Sequence, residues 1–230
     1  MRTIGLIGGM SWESSLEYYR IINEEVKRRL GGLHSASCLL YSFDFAPLER
    51  MQHDARWDDI ADEMASAARR LEAGGAELVL LCTNTMHKVA NAIYDSVSIP
   101  FIHIADPTAG AIRADGIDRV GLLGTRFTME DGFYVDRLRS LYGVEAVVPS
   151  PADREAVHRV IYDELCVGSA TDESRARFRA VIAALVADGA QGVILGCTEI
   201  GLLVGPADSP VPLYDTTRLH AQAAVELALG

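Results

Sequence analysis

The sequence repeats one pattern of apolar run and turn in its two halves. Residues 76–83 (AELVLLCT) align without a gap with residues 190–197 (AQGVILGC), and residues 4–9 (IGLIGG) align with residues 120–125 (VGLLGT). The two matches occur in the same order and at nearly the same offset along the chain. This pattern indicates a duplicated unit, and we expect the two halves to face each other with the strand ends at Thr83 and Cys197 on opposite sides of a site.

Short apolar runs alternate with amphipathic segments through both halves. The amphipathic segments have apolar residues at helical spacing, as at positions 60, 64, 68 and 71. Predicted strands cover residues 3–9, 38–45, 78–82, 99–104, 120–123, 146–148, 193–196 and 213–214. Predicted helices cover residues 12–30 (with Ser11 as the N-cap), 57–73, 86–94, 130–142, 152–166, 171–187 and 217–227, with a linker from Pro47 through Gln52. Strands that alternate with helices of this length predict parallel α/β layers.

The composition is that of an ordinary globular protein, and it excludes several functions. No apolar run approaches the roughly 20 residues that span a membrane, and residues 4–10 do not resemble a signal peptide, so a cytoplasmic location is expected. The formal net charge of −11 argues against general binding to nucleic acid or anionic membranes, because both require a basic surface. An acidic small molecule would gain nothing from this overall field, so its site would need local hydrogen-bond donors.

Four segments stand at the predicted carboxyl ends of strands, which is where open α/β sheets bind ligands. They are residues 8–11, 83–85, 124–126 and 197–199. Each begins a turn or helix, so its backbone N–H groups can bind a carboxylate or a phosphate. Residues 5–9 lack the G-x-G-x-x-G fingerprint of dinucleotide-binding proteins, and the chain contains no G-x-S-x-G or P-loop motif. The sequence therefore favours a small anionic ligand over a dinucleotide and gives no support to serine hydrolysis.

Cys197 has the strongest chemical surroundings of the four cysteines. Thr198 and Glu199 follow it, and a helix is expected to begin after them. Hydroxyl donors and a helix N-terminus lower the pKa of a thiol from its usual value of about 8.5. A cysteine at the end of an apolar strand is, however, often a small core residue. The residues alone leave both readings open, a reactive thiolate and a packing side chain.

The other cysteines are predicted to be packing residues. Cys82 precedes Thr83 on its strand, so the two side chains point to opposite faces of the sheet, and Cys38 and Cys166 have no reactive neighbours in the sequence. The four positions show no C-x-x-C pair and no zinc spacing, so neither a disulfide framework nor a metal site is predicted. His87, one helical turn beyond Thr83, could approach the strand end, although a structural role is the more common one for such a histidine.

Four motifs taken together resemble the aspartate/glutamate racemase family, in the branch that works without pyridoxal phosphate. They are similar above all to the bacterial L-aspartate/glutamate-specific racemases. The motifs are residues 4–14 (IGLIGGMSWES), 83–87 (TNTMH), 123–125 (LGT) and 196–199 (GCTE). Because they occupy all four strand ends in the family's order, the resemblance covers nearly the whole chain.

The resemblance implies a fold and an assembly. It implies two pseudo-symmetric, Rossmann-like α/β domains with parallel sheets and an active site in the cleft between them. Residues 1–103 plus 212–230 are expected to form the first domain, and residues 104–211 the second. The resemblance also implies a homodimer that acts on a small acidic amino acid and needs no cofactor.

The resemblance further implies two-base chemistry, in which one thiolate removes the Cα proton and a second thiol returns a proton to the other face. Hydrogen-bond donors around the α-carboxylate would stabilise the carbanion. Cys197 matches one catalytic cysteine of the family. The substrate-binding residues implied by matching positions are Met10, Gln52, Asn84, Thr85, Thr125 and Thr198. The side-chain carboxylate calls for a cation, for which Arg50 and Arg126 are available.

Thr83 departs from the family pattern, which commonly reads Cys-Asn-Thr at this point. Cys82 cannot substitute, because a one-residue register slip would turn the strand over. A threonine hydroxyl is a poor base, but it can donate a proton to a carbanion directly or through water. We therefore predict a handed enzyme in which Cys197 deprotonates one enantiomer and Thr83 protonates the opposite face, while the reverse reaction starts slowly. The resemblance implies that the favoured enantiomer is the L-form. Equilibrium fixes the final ratio of enantiomers near one, so the asymmetry must appear in the kinetics.

Two alternatives remain open at this stage. Maleate isomerases and arylmalonate decarboxylases share the architecture, and the decarboxylases use one cysteine, as this chain would. A non-catalytic amino-acid-binding protein is also consistent with the threonine at position 83.

Overall fold

The computed structural model describes residues 1–230, which divide into two compact units. The first unit contains residues 1–103 and 220–230. Its parallel sheet has the strand order β2-β1-β3-β4. The strands are β1 (Ile4–Gly8), β2 (Cys38–Ser42), β3 (Leu78–Leu81) and β4 (Phe101–Ile102), and the helices are α1 (Trp12–Leu30), α2 (Phe45–His53), α3 (Trp57–Ala73) and α4 (Ala90–Tyr94), with a 3-10 helix at Thr85–Val89.

The second unit contains residues 104–219 and repeats this arrangement with the strand order β6-β5-β7-β8. Its strands are β5 (Arg119–Gly124), β6 (Glu145–Val147), β7 (Val193–Gly196) and β8 (Leu213–Asp215). Its helices are α5 (Ala105–Ala114), α6 (Arg126–Glu130), α7 (Phe133–Tyr142), α8 (Pro151–Asp163), α9 (Asp172–Ala187) and α10 (Ile200–Leu203), with 3-10 helices at Leu165–Val167 and Pro206–Asp208. Helix α11 (Thr216–Leu229) carries the chain from the second unit back into the first. The predicted fold class, two α/β units with parallel sheets, is confirmed.

The apolar strands of the first unit bury both faces of their sheet, as parallel strands do. Leu6 and Leu80 pack with residues of α1 and α11 on one face, whereas Ile7, Val79 and Leu81 pack with residues of α2 and α3 on the other. The side chains alternate between faces with a period of two residues. Helices therefore cover both faces of the sheet, and its carboxyl edge is left as the place where a ligand can bind.

The turn that follows β1 is shaped by Gly9 and capped by serines. Gly9 has a φ of +84°, and a Cβ atom there would lie 2.3 Å from the carbonyl oxygen of Phe43, so no other residue fits. Its N–H donates to the Ser15 hydroxyl at 2.7 Å. The Ser11 hydroxyl accepts from the backbone N–H of Ser14 at 3.3 Å, which confirms Ser11 as the predicted N-cap.

Two helices were not predicted, and each has a proline in its first turn. Residues 45–53 form α2 instead of a linker from Pro47, and residues 105–114 form α5, which includes Pro107. Proline is tolerated in a first turn because N–H groups there have no partner within the helix. The helix predicted over residues 130–142 is in the structure two helices, because residues 126–130 form the short helix α6, with Thr125 as its N-cap, and α7 begins only at Phe133.

The C-terminal boundary of the first unit lies later than the predicted residue 212. Strand β8 pairs in parallel with β7, with Ile194 opposite Tyr214, and so belongs to the second sheet. Only residues 220–230 contribute to the first unit. None of the helices has both the length and the hydropathy that crossing a lipid bilayer requires.

Candidate active site

The first unit brings five of the predicted site residues to the carboxyl edge of its sheet. Strands β1 and β3 are neighbours with Ile7 opposite Leu81, so the turns that follow them lie side by side. These turns carry the predicted residues Met10, Thr83, Asn84 and Thr85, and all four residues are at most 9% exposed. Gln52 reaches the same region from α2, where its Nε2 atom donates to the sulfur of Met86 at 3.4 Å.

Thr83 combines a fixed backbone with an available hydroxyl. Its N–H donates to the carbonyl of Leu81 at 2.9 Å, and its own carbonyl accepts from Nδ1 of His87 at 2.8 Å. The carbonyl of Cys82 accepts from the Ser14 hydroxyl at 3.0 Å. No hydrogen bond within the protein involves Oγ1 of Thr83, so this hydroxyl is free to contact a ligand.

The second unit brings the remaining predicted residues to the carboxyl edge of the other sheet. Gly124 of β5 lies opposite Gly196 of β7, so Thr125 and Cys197 follow on neighbouring strands, which are separated by about 5 Å in such sheets. The Thr125 hydroxyl caps α6 by accepting from the N–H of Thr128 at 3.3 Å. Thr198 follows Cys197 in the turn that leads to α10.

Glu199 is a candidate functional residue to which the sequence assigned no role. It is only 3% exposed, and its Oε2 atom accepts a hydrogen bond from the Cys197 thiol at 2.9 Å. The same oxygen accepts from the Thr198 hydroxyl at 2.6 Å. The position of Glu199 two residues after Cys197, at the end of a buried strand, was the available signal. A buried carboxylate beside a thiol can accept that thiol's proton.

The predicted lowering of the Cys197 pKa is wrong, because the pKa is raised well above its ordinary value. Burial is the largest cause, and the negative charge of Glu199 is the next. Two effects that were expected to lower the pKa are weak or absent. Helix α10 has only four residues, and the Thr198 hydroxyl donates to Glu199 instead of to the sulfur. Cys197 is therefore a thiol at neutral pH when no ligand is bound.

Replacing Glu199 by glutamine is expected to lower the pKa of the Cys197 thiol. The substitution removes the negative charge that opposes ionisation and keeps a side chain of similar shape. Because thiolates are the species that iodoacetamide alkylates, alkylation of Cys197 should begin at lower pH in the variant. Mass spectrometry of the peptide that contains Cys197, over a series of pH values, gives the profile.

Cys38 is the internal control for this experiment. Burial raises its pKa to about 11, and it lies in the other unit, so its alkylation profile should be the same in both proteins. A Cys197 profile that stays in place or moves to higher pH would contradict the role assigned to Glu199.

The remaining cysteines behave as the sequence predicted. Cys82 is fully buried in the cluster between the first sheet and α1, and burial raises its pKa. Cys38 and Cys166 are partly buried against hydrophobic clusters. All four thiols are free.

The two arginines available for a carboxylate differ in position. Arg126 follows Thr125 directly. Its side chain is 46% exposed, and its guanidinium lies 3.9 Å from the carboxylate of Glu155. Arg50 is exposed on α2, two residues before Gln52. Residues two apart on a helix do not face each other, so Arg50 and Gln52 point in different directions.

Comparisons with known proteins identify the family to which this chain belongs. The model of the Asp/Glu/hydantoin racemase family matches residues 7–224. The chain is 53% identical to a candidate Asp/Glu racemase from Yersinia pestis of known crystal structure, with a TM-score of 0.93 and 100% coverage of both chains. It is 33% identical to PH1733, an aspartate racemase homologue from Pyrococcus horikoshii, with a TM-score of 0.85 and 100% coverage of both chains.

A named amino-acid racemase is similar over nearly the whole length of the chain. The broad specificity amino-acid racemase RacX of Bacillus subtilis is 22% identical over 232 residues, which cover 99% of this chain and 98% of RacX. The resemblance inferred from the four motifs, and with it the prediction of a racemase, is confirmed. The chain belongs to the Asp/Glu/hydantoin racemase family of isomerases.

Proposed function

We propose that this protein interconverts the L- and D-forms of aspartate or glutamate by moving a proton from one face of Cα to the other. Cys197 is the base on one face, and Thr83 is the proton donor on the opposite face. The observation that supports the proposal best is the hydrogen-bonded pair of Cys197 and Glu199 at the end of β7, in a chain that belongs to a racemase family.

Glu199 gives Cys197 a route to the thiolate. The thiol is protonated in the resting site, and its proton lies on the 2.9 Å hydrogen bond to the Glu199 carboxylate. When that proton moves to Glu199, the thiolate can remove the Cα proton of the substrate. The α-ammonium group of a bound amino acid favours this step, because a positive charge nearby stabilises the thiolate.

Thr83 then completes the inversion. Its hydroxyl, which makes no hydrogen bond within the protein, donates a proton to the carbanion, and the alkoxide recovers a proton from water. The hydroxide that this leaves takes the proton held by Glu199, which restores the resting site. A hydroxyl is a much weaker base than a thiolate, so the opposite direction begins from the less reactive side. The enzyme is therefore expected to be kinetically handed, and in this proposal the L-form is the enantiomer with the higher kcat.

The polar groups at the strand ends bind the amino acid in this proposal. Backbone N–H groups of the turns and nearby hydroxyls take the α-carboxylate, and the Gln52 amide contacts a carboxylate or the ammonium group. The residues are Met10, Gln52, Asn84, Thr85, Thr125 and Thr198. Arg126 is the better partner for the side-chain carboxylate, because it follows Thr125 directly and is held only weakly by Glu155.

A substrate panel tests this function against its alternatives. Appearance of the D-form from L-aspartate or L-glutamate, but not from L-alanine, supports an acidic amino-acid racemase. Turnover of maleate or an arylmalonate without any racemisation would assign the chain to another reaction on the same fold. Binding of L-glutamate without loss of its Cα proton would indicate a non-catalytic amino-acid-binding protein. The homodimeric assembly and the cytoplasmic location stay predictions.

A further inference from the structure

We propose that His87 is a positioning residue that holds Thr83 in the geometry needed to protonate one face of the substrate. The inference rests on the proposed function and adds to it the side chain that fixes the proton donor. His87 acts through the backbone of Thr83 and is not itself required to touch the substrate.

The hydrogen bond between His87 and Thr83 has a defined direction. Nδ1 of His87 lies 2.8 Å from the carbonyl oxygen of Thr83. A carbonyl oxygen can only accept, so Nδ1 carries the proton and donates it. The backbone N–H of His87 also donates to the carbonyl of Asn84 at 3.0 Å. One residue therefore binds two successive carbonyl groups of the turn.

The imidazole of His87 is fixed by packing on several sides. It is 2% exposed, and it stacks on Phe101 with 5.7 Å between the ring centroids and an angle of 19° between the ring planes. The centroid of the His103 ring lies 4.5 Å from that of His87. The ring of His220 lies 5.9 Å away. A ring enclosed in this way cannot rotate without moving its neighbours, so the donor at Nδ1 stays aimed at Thr83.

His220 is itself held in one orientation by two hydrogen bonds. Its Nε2 atom donates to the carbonyl of Ile102 at 2.8 Å, and its Nδ1 atom lies 2.7 Å from the hydroxyl of Tyr18. All of these residues are in the first unit. The support behind His87 therefore extends from β4 to α1 and α11.

The result is that the backbone of Thr83 is held from both sides. The Ser14 hydroxyl donates to the carbonyl of Cys82, the residue before Thr83, at 3.0 Å. Nδ1 of His87 donates to the carbonyl of Thr83 at 2.8 Å. Little freedom is left except rotation of the side chain. Misplacement of a reacting group by about 1 Å can cost about a hundredfold in rate, so release of this backbone should slow proton return from Thr83.

The test separates proton removal from proton return. L-Aspartate with a chloride on Cβ needs only the base: Cys197 takes the Cα proton, a double bond forms between Cα and Cβ, and chloride leaves. The resulting enamine hydrolyses to a 2-oxo acid and ammonia. Racemisation of L-aspartate needs the base and the donor. The ratio of the two rates therefore reports on the donor side alone.

His87→Leu is expected to slow racemisation about ten- to a hundredfold while chloride elimination changes by no more than about threefold. His87→Asn places an amide N–H near the position of Nδ1 and should restore most of the racemisation rate. His34→Leu, at an exposed position of the first unit, is the matched control and should leave both rates unchanged. If the leucine variant does not fold, His87→Gln, which keeps a polar side chain but places its amide farther out, takes its place.

Two results would overturn the proposal. A parallel fall of racemisation and elimination in the position-87 variants would indicate a purely structural histidine. Unchanged racemisation in both the leucine and glutamine variants would show that Thr83 needs no such support. Failure of the proposed function is distinguishable from both, because the wild-type protein would then neither racemise L-aspartate nor eliminate chloride.

Discussion

Replacing Cys197 by alanine is expected to reduce kcat for racemisation of L-aspartate and L-glutamate by about a thousandfold or more, because a general base contributes about 10² to 10⁴. Cys82, the thiol next to Thr83, cannot replace it, because it is fully buried in the cluster beside α1. Circular dichroism of the amino acid follows the reaction. Cys197→Ser should lose nearly as much, since a hydroxyl beside the Glu199 carboxylate is even harder to ionise than the thiol.

Cys38→Ala is the matched control for this substitution. Cys38 is a partly buried cysteine on β2 in the first unit, and its loss should leave kcat within about a factor of two if protein stability is maintained. A Cys197→Ala protein that keeps more than about a tenth of the wild-type kcat would show that another group removes the Cα proton.

Removing the hydroxyl of Thr83 is expected to have the second largest effect. Thr83→Val keeps the shape of the side chain and deletes the donor, so racemisation should fall about a hundredfold or more. Thr83→Cys should instead raise the rate from the D-form, because a thiol supplies a much stronger base on the second face. Initial rates from pure L- and pure D-aspartate measure both effects.

The two directions are linked by thermodynamics, which decides where the asymmetry can be seen. Enantiomers have equal free energies, so kcat/KM must be the same in both directions, while kcat and KM can differ separately. The wild-type protein should show a lower kcat from the D-form, and Thr83→Cys should raise that value more than the value from the L-form. If Thr83→Cys leaves both directional kcat values unchanged, Thr83 is not the proton donor.

The sequence signals that predicted the fold correctly are those that one type of local structure explains, such as an N-cap serine or apolar residues at helical spacing. Ser11 after a buried strand acts as an N-cap, and the apolar spacing in residues 57–73 gives a helix with the same bounds in the structure. The repeated strand ends predicted a duplicated unit, and the two sheets of the structure have equivalent strand orders. In each case one local rule was enough, and no distant residue had to be known.

The elements that were missed depend on weaker or non-local information. Pro47 and Pro107 resemble breakers of regular structure, but both lie in first turns where proline is tolerated. Residues 213–215 are too few to show which sheet they join, and only the pairing of β8 with β7 decides it.

The chemistry of the site was predicted in outline, but its electrostatics were not. The position of Cys197 at a strand end follows from the sequence, whereas its raised pKa depends on burial and on the direction of the Thr198 hydroxyl. The bond between His87 and Thr83 likewise requires the 3-10 geometry of residues 85–89. Hydrogen-bond directions such as these are set by the folded backbone.

Proton NMR in D2O tests the proposed chemistry with a single signal, the Cα proton of L-aspartate or L-glutamate. With the wild-type protein we expect this signal to disappear as the D-form accumulates with deuterium at Cα, and with Cys197→Ala we expect it to persist. Loss of the signal at the same rate in both proteins would remove Cys197 from the mechanism. Persistence of the signal with the wild-type protein would show that this racemase fold does not racemise acidic amino acids.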